Sequence, residues 1–214
     1  MKDKQRHVTN QTYNDSAKNY EDSFINVTLY NDSFNDFCNL ILKKNAKILD
    51  IACGPGNITK YILSKRPDFN ILGVDIAPKM IELATLNNPS AQFKVMDFRI
   101  VSTLNTKYDA ILNSFCMPYL SKKECAQIIK DSSNLLESGG YMYLSTMEGK
   151  DTDSGYEVAS FDQRKKVYIH YHQKNYLTKC FSDSNFNIID FQLVKSPKSD
   201  GSFFTDMIFI LMKQ

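Results

Sequence analysis

The segment ILDIACGPGNITKYIL, residues 48–63, constrains the fold of this chain more than any other. An apolar run with one acid meets Gly54-Pro55-Gly56, and an apolar-periodic stretch follows. That order of signals predicts a buried strand, a tight turn and a helix. Such a junction aims backbone N–H groups and the positive end of a helix dipole at one spot, which suits a negative group. A nucleotide-triphosphate loop would continue Gly-Lys-Ser/Thr, but Asn57 and Ile58 follow Gly56, so that reading fails. A dinucleotide fingerprint, G-x-G-x-x-G, is met at Gly54 and Gly56, but Thr59 stands in place of its third glycine.

The strand–helix rhythm continues downstream. NILGVDIA reads as a second buried strand closed by Asp75, and Pro78 then opens a helix. AQFKVMDF reads as a third strand ending in Asp97, and YDAILNSF as a fourth. Ser121 and Glu124 have capping-box spacing ahead of an amphipathic helix that Gly139 and Gly140 are expected to end; YMYLSTME is the fifth strand. FNIIDFQLV and FTDMIFILMK read as two strands joined across KSPKSDG. The alternation predicts an α/β fold: a doubly wound, seven-stranded, mostly parallel sheet with its last strand antiparallel. Residues 1–214 are expected to make one domain. Residues 1–45 form an N-terminal helical cap of one or two helices. Residues 149–172, polar and without a clear period until VYIHYH, are expected to form a lid or substrate insertion.

Composition narrows the partners. A net charge of +2, without long basic runs, does not favour nucleic acid. The polar N-terminus lacks a signal-like apolar core and MIFILM is too short to span a bilayer, so no membrane is implied and a cytoplasmic location is expected. The five scattered cysteines, none in CxxC spacing, suggest neither a zinc site nor a disulfide framework.

The strand ends describe a ligand. Asp75 lies roughly 20 residues past the turn, where a carboxylate can accept both ribose hydroxyls. Asp97 can accept an adenine amino group, and Phe98 can offer its backbone N–H and an apolar face. The ligand then reads as an adenosine unit with a short anionic tail reaching the turn.

With these residues in order, the chain resembles the class I S-adenosylmethionine-dependent methyltransferases, of the small-molecule type. ILDIACGPG, ILGVDIAPKMIELA, FKVMDF and YDAILNSF match their first four motifs, LLESGGYMYLSTM the next strand, and FTDMIFILMK the last antiparallel one. The ordered set is specific where a single motif is not. Ala52 departs from the commoner glycine. The resemblance implies S-adenosylmethionine as cofactor, its carboxylate at the turn and its ammonium on backbone carbonyls near Gly54 and Asn113. It implies a cofactor site of Tyr13, Tyr20, Asp50, Ala52, Gly54, Gly56, Asp75, Ile76, Met80, Asp97, Phe98 and Asn113.

Plainer roles stand beside these. Asp50 can bind or simply cap the turn. Cys53 fits as a small residue in a crowded turn rather than a nucleophile. Met80 packs adenine or core, and Tyr13 and Tyr20, i and i+7 on a helix, reach the cofactor or only pack. His170 and His172 share one strand face in VYIHYH; with no third ligand spaced nearby, no metal is implied. With Tyr119 and Glu148 they are the candidates for a general base. The expected function is methyl transfer to a small-molecule oxygen or nitrogen. A methyltransferase of RNA or protein and a non-catalytic S-adenosylmethionine-binding module are the alternatives, with a nicotinamide dehydrogenase last.

Overall fold

The structure is a computed structural model that describes residues 2–25, 28–197, 201 and 203–214. Its core is a seven-stranded sheet of β1 (Lys47–Ile51), β2 (Asn70–Asp75), β3 (Gln92–Val95), β4 (Tyr108–Ser114), β5 (Leu136–Met147), β8 (Phe186–Pro197) and β9 (Phe203–Lys213). The order is β3-β2-β1-β4-β5-β9-β8. The first five are parallel, and β9 runs antiparallel to both β5 and β8. Six strands therefore share one direction and the last opposes them. Of the KSPKSDG segment expected as the turn between β8 and β9, Lys195, Ser196 and Pro197 continue β8, and 198–200 fall outside the described residues.

The continuous apolar runs follow from burial on both faces. One face of the sheet packs Ile111, Leu144 and Phe209 against Ile128 of α6 (Lys122–Leu135) and Phe181 of α7 (Lys174–Asp183). The other packs Ile48, Leu112 and Ile210 against Phe34 and Phe37 of α3 (Asn31–Leu40) and Ile62 of α4 (Asn57–Lys65). The strand order reverses between β1 and β4, and the carboxyl ends of these strands open there to a crevice.

Four expectations change. The front of the chain forms three α-helices rather than one or two: α1 (Lys2–Asp15), α2 (Ala17–Phe24) and α3. Helix α6 ends at Leu135, ahead of the glycines, and β5 starts at once. Gly140 lies inside that strand at a register shift, where a Cβ would stand 2.9 Å from the Asp109 carbonyl. Strand β3 stops at Val95, leaving Asp97 to cap the following turn of 3₁₀ helix. Lastly, much of residues 149–172 is ordered as a hairpin of β6 (Gly155–Ala159) and β7 (Asp162–Ile169), a separate two-stranded sheet.

That hairpin meets α1. The Thr12 hydroxyl donates to the Lys166 carbonyl at 3.0 Å, and the Tyr168 amide to the Thr9 hydroxyl at 2.9 Å. The Ser16 hydroxyl donates to Asp162 at 2.9 Å. Helices α1 and α2 and the hairpin thus form one cap over the crevice.

Candidate active site

The glycine-rich turn takes its shape from left-handed backbone. Ala52, Gly54 and Gly56 have φ of 57°, 53° and 76°. Only glycine adopts such angles freely, which explains why glycine is commoner at position 52; Ala52 carries the strain. The two glycines serve different ends. A Cβ on Gly54 would meet only the Tyr20 ring, at 3.7 Å, so its backbone faces the crevice. A Cβ on Gly56 would collide with the Asn88 amide and lie 3.2 Å from Ala84. Gly56 is therefore explained by the packing of α5 (Pro78–Asn87) against the turn rather than by a ligand.

Asp75, at the end of β2, is buried, and its carboxylate accepts the Gly54 and Ala77 amides at 3.0 and 2.9 Å. Burial pushes its pKa up, and the amides of Ala77, Gly54 and Ile76 pull it back. Among the described residues no cation is paired with it. The cavity beside it is lined by Thr9, Asn10, Tyr13, Tyr20, Ala52, Gly54, Asp75, Ile76, Met80, Phe98, Ser114, Phe115 and Tyr119. Its free space is about 60 Å³, well under the 300–1,000 Å³ of ordinary ligand pockets. Aromatic rings fill it: Tyr13 lies 5.6 Å from Tyr20, 5.2 Å from Tyr119 and 5.0 Å from Phe161, centroid to centroid. The hydroxyls of Tyr13 and Tyr119 are hydrogen-bonded to each other. Burial raises the phenol pKa values, that of Tyr119 to about 12.

The structure thus brings Tyr13, Tyr20, Ala52, Gly54, Asp75, Ile76, Met80, Phe98 and Tyr119 together at one cavity. The break at Ser16 between α1 and α2 does not part the two tyrosines. Asp50, Asp97 and Asn113 are not in its wall. Asp97 accepts the Arg99 amide at 2.9 Å and the guanidinium at 2.7 and 3.1 Å. Asn113 is fully buried on β4, with neither side-chain polar atom hydrogen-bonded. Thr9, Asn10, Ser114 and Phe115 line the cavity without having been singled out in the sequence. Nothing in the sequence marks the left-handed backbone of Phe115, φ 55°.

Asp50 lies under the turn and accepts the Thr59 hydroxyl at 2.6 Å, not the backbone amides expected of a cap. Thr59 thereby uses the place of the third fingerprint glycine to tie α4 to β1. Burial lifts the Asp50 pKa to about 7, with Thr59 opposing and the nearby Asp75 charge adding to the rise. A folded value above the unfolded one, about 3.9, means that the folded state holds the extra proton. Stability from this group is therefore lost as pH rises from about 4 to 7. Asp50→Asn is expected to flatten that slope, seen as a smaller fall in melting temperature between pH 5 and 8 than in the parent.

The histidine expectation needs correction. The strand ends at Ile169, so His170 and His172 do not share a strand face. His172 is completely buried, and its Nε2 lies 3.0 Å from the Met117 carbonyl, behind the turn that carries Tyr119. It does not line the cavity. Burial lowers its pKa by disfavouring the charged form, so the stability tied to the neutral ring is lost as pH falls below the unfolded value, about 6.5. His172→Ala is expected to cost roughly 2–4 kcal/mol of stability in urea melts and to leave the pH profile of turnover unchanged. His170 lines a neighbouring cavity, and Glu148 is exposed. Among the described residues there is no cluster of three or more His, Cys, Asp or Glu that could hold a metal, and no helix long and apolar enough to cross a membrane.

The comparisons with known proteins agree with this geometry. A methyltransferase domain family matches residues 48–140. The chain is 31% identical over 144 residues to the provisionally named methyltransferase 235L of Invertebrate iridescent virus 6, covering 66% of this chain and 53% of that protein. It is 31% identical over 160 residues to the malonyl-[acyl-carrier protein] O-methyltransferase of Acetivibrio thermocellus, covering 72% and 54%. The chain thus spans about half the length of these relatives. In fold it is similar to magnesium protoporphyrin IX methyltransferase from Synechocystis PCC 6803, solved with bound S-adenosylmethionine, at a TM-score of 0.73, 13% identity and coverage of 98% and 97%. The matched residues hold the glycine-rich turn and the acid that closes β2, so the chain carries a methyltransferase domain, on the fold of the class I S-adenosylmethionine-dependent methyltransferases.

Proposed function

We propose that this protein transfers a methyl group from S-adenosylmethionine to a small-molecule oxygen or nitrogen. The observation that carries the reading is the buried Asp75 carboxylate, with no paired cation among the described residues, beside the open backbone of Gly54. A dry carboxylate is costly unless something compensates it. A ligand with hydroxyls to donate and positive charge nearby does so, and S-adenosylmethionine has both. When bound, the cofactor supplies a methyl group already activated on a sulfonium.

The chain's own part is binding, alignment and exclusion of water. Asp75 would accept the ribose hydroxyls with the lone pairs its two amide bonds leave free. Gly54 would let the backbone approach the methionyl group. Ile76, Met80 and Phe98 would hold the adenine, and Tyr13 and Tyr20 would close over it from the cap. Asp97, committed to Arg99, would shape the turn that presents Phe98. The cap of α1, α2 and the hairpin would serve as the lid.

Relatives are named for acting on malonyl-[acyl-carrier protein], for O-methylation in ubiquinone biosynthesis and for methylating trans-aconitate. One is a ribosomal RNA methyltransferase, but a net charge of +2 offers little to a polyanion. The fold alone also serves a [4+2]-cyclase, so the reaction needs a direct test. Methyl-labelled S-adenosylmethionine, incubated with the protein and fractionated cell extract, is expected to label the low-mass fraction. Label in RNA or protein would move the acceptor to a macromolecule. Tight cofactor binding without transfer to any fraction would make the protein a binding module.

A further inference from the structure

A second cavity adjoins the first. The two share Thr9, Asn10, Phe98 and Tyr119 as a common wall, so Tyr119 stands between them. Beyond it the lining includes Arg6, Arg99, Glu124, Tyr168 and His170. Two guanidiniums and an imidazole line it with one carboxylate, and that carboxylate is engaged on both oxygens. Glu124 takes Arg6 at 2.6 Å on one oxygen and the Ser121 amide and hydroxyl at 3.0 and 2.5 Å on the other. Arg99 spends its Nε and one terminal nitrogen, Nη2, on Asp97. Its Nη1 makes no hydrogen bond among the described residues. A guanidinium fork anchored on one side is pre-set for an anion on the other.

The first cavity is equally telling in its lack of a base. The titratable groups of its wall are Tyr13, Tyr20, Tyr119 and Asp75. The phenols are held neutral by burial and take no proton. Asp75 is occupied by two amides and, in the function proposed above, by ribose. His172 lies outside. An acceptor placed here must already be nucleophilic at neutral pH.

We infer that the acceptor is a small carboxylic acid, held through its carboxylate by Arg99 and Arg6 at the Tyr119 boundary, and that the product is its methyl ester. This rests on the methyl-transfer reading and narrows its substrate. The reaction balances without a base. A carboxylate oxygen forms a bond to the methyl carbon as the carbon–sulfur bond breaks. The electron pair of that bond stays on sulfur, the sulfonium charge is discharged, and no proton moves.

Two experiments test it. In the first, labelled product from the metabolite incubation is treated with mild alkali. A methyl ester releases its label as volatile methanol; label that stays bound is on an ether, amine or thioether and overturns the inference while leaving methyl transfer intact. Failure of S-adenosylmethionine itself to bind in calorimetry would instead overturn the broader function. In the second, protein saturated with S-adenosylhomocysteine is titrated with aliphatic and aromatic mono- and dicarboxylic acids of two to ten carbons and with the matching amides. The tightest acid is expected to bind at least tenfold more tightly than its amide. Arg99→Gln is expected to remove most of that preference, read as the ratio of acid to amide affinity with S-adenosylhomocysteine kept saturating. Arg6→Gln serves as the second variant should Arg99→Gln fail to fold. Equal binding of acids and amides, or full preference retained in both variants, overturns the inference.

Discussion

Asp75→Ala is expected to weaken S-adenosylmethionine binding by at least about 2 kcal/mol, the scale of lost charge-assisted hydrogen bonds and roughly thirtyfold in Kd. The geometry adds a second effect. The same carboxylate accepts the Gly54 and Ala77 amides, so alanine leaves two buried donors unpaired and also destabilises the fold. Asp75→Asn separates the two. It keeps an acceptor oxygen for one amide but loses the charge and half the acceptor capacity. It is expected to melt nearer the parent than alanine does, yet to bind the cofactor far more weakly. Calorimetric titration alongside thermal melting decides the matter: a folded Asp75→Asn protein with parental affinity would remove Asp75 from the cofactor site.

Gly54→Val is expected to abolish binding altogether. At φ 53° a β-branched residue is a strong outlier, and left-handed backbone costs an ordinary residue about 1–2 kcal/mol. The added side chain also projects toward Tyr20, into the space where a ligand must reach the backbone. Gly54→Ala grades the effect, since it bears the backbone strain with only one methyl group in the way. Valine should show no heat of binding, and alanine a weakened but measurable one. Normal binding by the valine variant would mean that the turn serves the fold alone. Gly56 gives no comparable test, because a side chain there strikes α5 before any ligand is involved.

The sheet and most of the cavity wall were legible in the sequence for a physical reason. Parallel strands buried on both faces are written as unbroken apolar runs, and the acids that close them stand out. What was hidden has equally specific causes. The hairpin of β6 and β7 turns at Ser160-Phe161 without the glycine or asparagine that marks a tight hairpin, so its first strand read as irregular. VYIHYH alternates as a strand should, but the chain leaves β7 at Ile169, and Tyr171 and His172 are both buried. Asp97 looked free to bind adenine because nothing in a one-dimensional pattern shows Arg99 folding back on it. The left-handed backbone at Ala52 and Phe115 is set by the turns they close, not by their own residue types.

The cap over the crevice is made of two pieces far apart in the chain, residues 2–24 and 155–169, joined by hydrogen bonds such as Thr12 to Lys166 and Thr9 to Tyr168. Helix α1, KDKQRHVTNQTYND, has few apolar residues and fourteen residues in all, too short and too polar to hold its shape in isolation. Its partner is made much later in the chain: Thr12 and Lys166 are 154 residues apart. The N-terminal segment must wait until the hairpin has emerged, while the strands from β1 to β5 can already pair behind it. The order of assembly is thus the reverse of the order of the sequence at this one place, and the wall over the cavity is completed only after the floor beneath it.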